Sequence, residues 1–189
     1  ALTTVKLTTP GLSGTSNSSA GIIFKGKKAA NASGYKIYRR TGNSSKWVNI
    51  APVSGNTPLV YTDGSVKAGT TYTYTVRAYK GSALSAYNKN GSRIVRLTAP
   101  VQYKPSSKAS GKLTVRGKKA AGASGSQIQY AASRSMRGAR TVSTSALTRT
   151  LSGLKKGSTY YVRIRAYKKV SGKTYYSTWS SVKNAKIKK

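Results

Sequence analysis

The chain has 189 residues, 35 of them Lys or Arg and one acidic, with no His and no Cys, for a formal net charge of +34. Those counts exclude the ordinary zinc, copper, haem and iron–sulfur sites, a calcium site of several acidic oxygens, a glycosidase's paired carboxylates, and any Ser–His–Asp or Cys–His arrangement. Only a Ser–Lys pairing is left for catalysis, and with so many serines and lysines chance supplies one, so the chain reads as a non-enzyme with no catalytic residue, metal or cofactor.

A hydrophobic content of 37% with 14 Tyr is that of a folded chain despite its charge. Plentiful Ser, Thr, Tyr, Val and Ile favour strands. At the start, Ala1-Leu2-Thr3-Thr4 does not read as a signal peptide, and no run of about 18 apolar residues exists to span a membrane. The first clear strand alternates Ile22, Phe24 and Gly26 on one face with Ile23, Lys25 and Lys27 on the other. The next turns Tyr35 and Ile37 inward against Lys36, Tyr38 and Arg40 outward. After Thr41-Gly42-Asn43, Trp47 is expected on a strand with Val48 and Ile50, packed in a core or edge rather than stacked on a sugar. Asp63 before Gly64 is read as shaping a turn. The strongest strand follows Gly69, with Tyr72, Tyr74, Val76 and Ala78 inward and Thr71, Thr73, Thr75, Arg77 and Tyr79 outward.

The same series then recurs. Leu113, Val115 and Gly117 face inward, with Thr114, Arg116 and Lys118 outside; Tyr160, Val162, Ile164 and Ala166 face inward, with Tyr161, Arg163, Arg165 and Tyr167 outside. Ser171-Gly172 predicts a tight hairpin. Trp179, the other indole, precedes a final strand near the C-terminus, and packing is its expected role too. Turn signals every few residues, with no convincing helix, describe about seven short strands per unit. Four Asn-x-Ser/Thr triplets, at Asn17, Asn31, Asn43 and Asn90, are expected by chance in a chain so rich in Ser and Asn.

The repetition is literal in places. Gly26-Lys27-Lys28-Ala29-Ala30 returns as Gly117-Lys118-Lys119-Ala120-Ala121, and Tyr72 to Lys80 returns as Tyr160 to Lys168. A period of roughly 90 residues is too long for a solenoid and has the size of a small complete domain. The boundary is placed near Thr98-Ala99-Pro100-Val101, giving domains 1–98 and 99–189 joined by a short Pro-containing link that favours a stiff tandem.

Val66-Lys67-Ala68-Gly69-Thr70-Thr71-Tyr72 with Val76-Arg77-Ala78-Tyr79 resembles the E–F corner and F strand of fibronectin type III domains, and Leu154-Lys155-Lys156-Gly157-Ser158-Thr159-Tyr160 with Ile164-Arg165-Ala166-Tyr167 matches it again. Ala32-Ser33-Gly34-Tyr35-Lys36-Ile37-Tyr38 and Ala123-Ser124-Gly125-Ser126-Gln127-Ile128-Gln129-Tyr130 resemble the B–C turn and C strand. The wording is most similar to the lysine-rich modules of secreted and cell-surface proteins of Gram-positive bacteria. The resemblance implies an all-β chain of two consecutive seven-stranded immunoglobulin-like β-sandwiches, with Tyr72 and Tyr160 as tyrosine corners. It also implies a non-catalytic extracellular spacer or adhesion role at a bacterial cell surface. Two departures stand out. Gly26 and Gly117 occupy the place of the family's strand-B Trp, a loss that commonly costs about 3–5 kcal/mol when such a residue is truncated in a packed core. Ser126 stands where the first copy has Tyr35.

The candidate polyanion- or glycan-binding face is the outer side of the C and F strands: Lys36, Tyr38, Arg40, Arg77 and Tyr79 in the first copy, and Arg163, Arg165 and Tyr167, beside Gln127 and Gln129, in the second. Basic residues would meet the charges and Tyr rings would act as platforms; such residues also serve as the ordinary cover of a solvated sheet. Expected partners are anionic cell-wall polymers such as teichoic acids, attached by charge. A homo-oligomeric filament or surface layer is a second reading. Nonspecific nucleic-acid binding, favoured by charge alone and by no recognition motif, is a third.

Overall fold

A computed structural model of the chain describes residues 6–189; residues 1–4, read above as no signal peptide, lie outside the described residues. The chain divides into two compact units, Ala1–Arg96 and Leu97–Lys189. Among the described residues every regular element is a strand, and no helix is long and apolar enough to cross a membrane.

In the first unit β1 (Leu12–Asn17), β2 (Ile22–Gly26) and β5 (Leu59–Asp63) form one antiparallel sheet in the order β1-β2-β5. The second sheet contains β3 (Gly34–Thr41), β4 (Val48–Ser54), β6 (Thr71–Lys80), β7 (Ala83–Leu84) and β8 (Ser92–Val95), with β4 on β3, β3 on β6, and both β7 and β8 on the far edge of β6. The second unit repeats this plan. Its three-stranded sheet runs β13 (Thr148–Leu151), β10 (Leu113–Lys118), β9 (Val101–Gln102). Its larger sheet pairs β12 (Arg140–Thr144) with β11 (Gly125–Ala131), β11 with β14 (Thr159–Val170), and β14 with both β15 (Lys173–Tyr176) and β16 (Lys183–Lys186). Each unit is thus a β-sandwich of one three-stranded and one five-stranded antiparallel sheet.

Seven strand positions per unit are expected, and eight segments are present because the last strand is broken at the same place in each copy. Just after β7 the buried Ser85 takes over the ladder: its amide donates to the Ala78 carbonyl, and its Oγ accepts from the Ala78 amide and donates to the Ala86 carbonyl. Ser177 makes the same three bonds with Ala166 and Thr178. A hydroxyl that bonds locally to the backbone replaces one rung of the ladder and ends the strand.

The inward residues of the alternating strands meet between the sheets. Ile22, Phe24, Tyr35, Ile37, Tyr74 and Val76 are fully buried, and the Phe24 ring stacks on Tyr74 across the sandwich with centroids 5.7 Å apart. In the second unit Leu113 and Val115 pack with Ile128, Val162, Ile164 and Ile187. The Ser171-Gly172 turn closes β14 onto β15 with both residues at positive φ, 47° and 76°, and Val170 opposite Lys173, the geometry of a type I′ hairpin.

The two strand-B glycines are not holes. In the first unit the Gly11 carbonyl accepts from the Lys27 amide, and a Cβ on Gly26 would sit 3.3 Å from that carbonyl and 3.4 Å from Leu59 Cδ2. In the second, Gly117 pairs with Gln102, and a Cβ there would run into the Val101 carbonyl oxygen. Backbone drawn against strand B stands where a large side chain was expected, so the large-to-small penalty does not apply in its simple form. The Ser126 departure is different. Tyr35 in the first unit accepts from the Ala29 amide at 3.0 Å and donates to Asn56 Oδ1 at 2.8 Å, whereas the buried Ser126 hydroxyl has no hydrogen-bond partner among the described residues.

Asp63 does more than shape a turn. Its Oδ1 accepts from the Ser65 amide and hydroxyl, while its Oδ2 accepts from Tyr74 and from Arg39 Nη1, both at 2.7 Å. The side chain is only 2% exposed.

Candidate functional site

The pairing of β3 with β6 sets the first outer face. Lys36 lies opposite Arg77, Tyr38 opposite Thr75, Arg40 opposite Thr73 and Gly34 opposite Tyr79. The pairing of β11 with β14 sets the second in the same register: Gln127 opposite Arg165, Gln129 opposite Arg163 and Gly125 opposite Tyr167. Strand alternation therefore brings Lys36, Tyr38, Arg40, Arg77 and Tyr79 onto one face, and Arg163, Arg165 and Tyr167 onto another.

Tyr79 and Tyr167 lie across glycines. A Cβ on Gly34 would come within 2.6 Å of the Tyr79 Oη, and one on Gly125 within 2.6 Å of the Tyr167 Oη. Each ring covers backbone that a strand glycine would otherwise leave bare. Their first job is to hold the sheet.

The arginines are stacked on aromatic rings. In the first unit Arg40 sits over Trp47 at 4.8 Å and Arg77 over Tyr87 at 5.8 Å, while Trp47 meets Tyr87 edge-on at 6.1 Å and 76°. Arg77 Nε also donates to the Ser85 carbonyl at 2.6 Å. Trp47 does not lie on a strand: it falls just before β4, in the connection that folds back over the sheet. Thr73 and Thr75, read as outward, lie on the outer side of the sheet but are buried, at 3% and 0% exposure. Thr75 lines a cleft of about 190 Å³ with Tyr38, Trp47, Arg77 and Tyr87, and its hydroxyl donates to the Asn88 carbonyl.

In the second unit the arrangement is a ladder. Arg165 lies 4.0 Å from the Tyr176 ring centroid and 4.5 Å from that of Trp179, and Arg163 lies over Trp179 at 4.8 Å. Their Nε groups donate to Gln127 Oε1 at 2.9 Å and Gln129 Oε1 at 2.7 Å. Burial pulls the Arg165 pKa below its ordinary value; Tyr176 opposes the shift and Arg163 adds to it. A cation over an aromatic face is worth about 0.5–1 kcal/mol at exposed sites, so these contacts fix the guanidinium groups in place without hiding their charge.

Sequence reasoning missed the ring partners Tyr87 and Tyr176. For Tyr87 the signal was present as Ser85-Ala86-Tyr87, repeated as Ser177-Thr178-Trp179, where a buried serine is followed two residues later by an aromatic residue that returns to the outer face; no such pattern marks Tyr176, which comes just before the serine. The inner tyrosines Tyr72 and Tyr160 tie back the β5–β6 and β13–β14 connections: the Lys67 amide donates to Tyr72 Oη at 2.9 Å and the Lys155 amide to Tyr160 Oη at 3.4 Å.

Charge is one-sided at both faces. The one acidic side chain is buried against Arg39, so no other Lys or Arg has a side-chain carboxylate to pair with. Hydrogen bonds from Ser65, Tyr74 and Arg39 outweigh burial and hold the Asp63 carboxyl below its usual value, while burial and the Asp63 charge push the Tyr74 hydroxyl up.

No family model matches the chain, and no curated protein matches it. Among solved structures the chain is similar to the FN1–FN3 domains of chicken CNTN1, with 18% identity over 96% of this chain and 69% of that one and a TM-score of 0.45. It is also similar to a two-domain fibronectin type III segment of chicken tenascin, with 18% identity over 95% of this chain and 98% of that one and a TM-score of 0.47.

Proposed function

We propose that the chain is a non-catalytic extracellular spacer or adhesion module that attaches by charge to anionic polymers of a bacterial envelope. The observation that carries this reading is the fate of Asp63. With it buried against Arg39, the remaining cations have no acidic side chain within the chain and must find counter-anions outside it. Two of the arginine groups, Arg40 with Arg77 and Arg163 with Arg165, are held by rings on outer sheet faces, with Lys36 beside the first. Ordered cations on a stiff surface lose little side-chain entropy when a phosphate or carboxylate docks. A polyanion neutralised by such a face releases its own counterions, which drives binding and makes it salt-dependent. The resemblance to lysine-rich modules of Gram-positive surface proteins supplies the setting, and teichoic acids are the phosphate polymers it offers.

The test is sedimentation with purified cell walls across a salt series. The chain should pellet at low salt and be released as salt rises, since exposed charges are screened beyond about 8 Å at physiological ionic strength. If half a dozen phosphates are engaged, affinity should fall about 10³-fold between about 50 and about 200 mM salt. Equal binding to walls stripped of teichoic acid would remove the phosphate polymer from the proposal, and salt-independent binding would remove charge as its basis.

A further inference from the structure

We propose that the cleft formed by Tyr38, Trp47, Thr75, Arg77 and Tyr87 binds a single acidic pyranose unit of an anionic glycan. This rests on the polyanion reading above and names the unit that the first domain selects. The two copies differ at this point. Thr75 faces Tyr38 across the ladder, where the second copy has Arg163 facing Gln129. In the second copy Arg163 and Arg165 fill the space against Trp179 and Tyr176. In the first, the position of Arg163 is taken by the short, buried Thr75, and a cleft of about 190 Å³ remains above it between Tyr38, Trp47, Arg77 and Tyr87, below the roughly 300–1,000 Å³ of pockets that take drug-sized ligands and suited to one sugar-sized ring.

The walls favour a sugar over a nucleobase. Trp47 and Tyr87 meet at 76°, forming a corner. A puckered ring with one C–H face can lie on one side chain and rest its rim on the other, whereas a flat base stacks best on a parallel aromatic face. The Thr75 hydroxyl is tied to the Asn88 carbonyl, so recognition falls to the rings and to Arg77, which its bond to Ser85 orients. Lys36 opposite Arg77 adds a second positive charge, and the chain has no acidic side chain besides the buried Asp63 to repel an acidic group or compete for the cations.

The experiment titrates the full chain by calorimetry with three probes: oligogalacturonate (acidic pyranoses), a neutral glucose oligomer (rings without charge) and inorganic polyphosphate (charge without rings). Oligogalacturonate should bind with less salt dependence than polyphosphate, and the neutral oligomer weakly. Trp47→Ala and Thr75→Arg should each weaken oligogalacturonate about tenfold or more, the scale of losing an anchoring contact, and weaken polyphosphate far less, because polyphosphate draws on the cations of the whole chain while Trp47 orients Arg40 alone and Thr75→Arg adds a charge. Thermal midpoints of the variants check folding, and Tyr87→Ala on the opposite wall replaces either variant that fails to fold. If oligogalacturonate and polyphosphate share one salt dependence and ignore these substitutions, the sugar site is wrong while the polyanion reading stands. Loss of polyphosphate binding by the unaltered chain at low salt would instead overturn the polyanion reading. A single-stranded oligonucleotide that binds more tightly than oligogalacturonate and is weakened by Trp47→Ala would assign the cleft to nucleic acid.

Discussion

Arg39 Nη1 and Asp63 Oδ2 meet at 2.7 Å, joining β3 to the end of β5 across the first sandwich. Arg39 also lies over the Tyr72 ring at 5.0 Å, and Tyr74 donates to the same carboxylate oxygen. A chain with one acidic side chain has placed it where three neighbours, Ser65, Tyr74 and Arg39, hold it ionised through four hydrogen bonds.

This arrangement makes the acid response of the two domains different. The Asp63 pKa in the folded chain lies below its ordinary value of 3.8, so its contribution to stability is present above the unfolded value and lost as pH falls through the lower folded value. The first domain should therefore lose stability below about pH 4, while the second, with no acidic side chain, should change little. One indole per domain provides the readout: Trp179→Phe leaves Trp47 to report on the first, and Trp47→Phe leaves Trp179 to report on the second. Asp63→Asn should abolish the acid-dependent loss in the first domain and cost about 2–3 kcal/mol at neutral pH. That is below the 3–5 of a fully buried pair, because the Arg39 side chain is 20% exposed. Parallel acid curves for the two domains would refute this account.

Much of the sandwich was legible because strand alternation is a local property. The inward series Ile22, Phe24 and Tyr72 to Ala78 reads directly from a period of two, and the second copy repeats it. The features that were not legible depend on partners distant in sequence. Asp63 before Gly64 looks like a turn because its neighbours say so, and nothing local announces Arg39 on β3. Trp47 lies off the strand because the connection after Thr41 folds back over the sheet, a path that residue spacing does not encode. Alternation places the outer-face residues on one side, yet the arginines were read as free to meet charges and the tyrosines as platforms, because the rings that stack on the arginines arrive from a last strand broken at Ser85 and Ser177. A glycine cannot say what occupies the space it leaves.

That last point yields an asymmetric prediction. A Cβ at Gly26 would sit 3.3 Å or more from its neighbours, so Gly26→Ala should change first-domain stability by less than about 1 kcal/mol, with reduced freedom of the unfolded chain offsetting slight crowding. At Gly117 the Cβ would meet the Val101 carbonyl oxygen, and backbone cannot yield as a side-chain tip can. Gly117→Ala should cost about 1–3 kcal/mol, the range for overpacking. Thermal unfolding followed at Trp47 and Trp179 measures each. Equal effects at the two positions would mean that the strand-B glycines share one cause, contrary to the close approach seen at Gly117.

Ser126 offers a gain rather than a loss. It occupies the position of Tyr35, whose hydroxyl both accepts from Ala29 and donates to Asn56. Ser126 is 1% exposed and its hydroxyl has no partner among the described residues. A buried polar group left unsatisfied costs about 1–3 kcal/mol, and removing it takes away that penalty while leaving only a small change in volume. Ser126→Ala should therefore stabilise the second domain by about 1 kcal/mol, which for a domain of 60–100 residues raises the midpoint by about 4–8 °C. Tyr35→Phe should do the reverse in the first domain: it strips the buried Ala29 amide of its acceptor, and a loss of about 1–2 kcal/mol is expected. The pair is informative because both substitutions delete one hydroxyl from the same strand position, and the sign should follow whether that hydroxyl is bonded. If Ser126→Ala lowers the Trp179-reported midpoint, the hydroxyl has a partner in solution, and an ordered water bridging it to the core becomes the explanation to pursue.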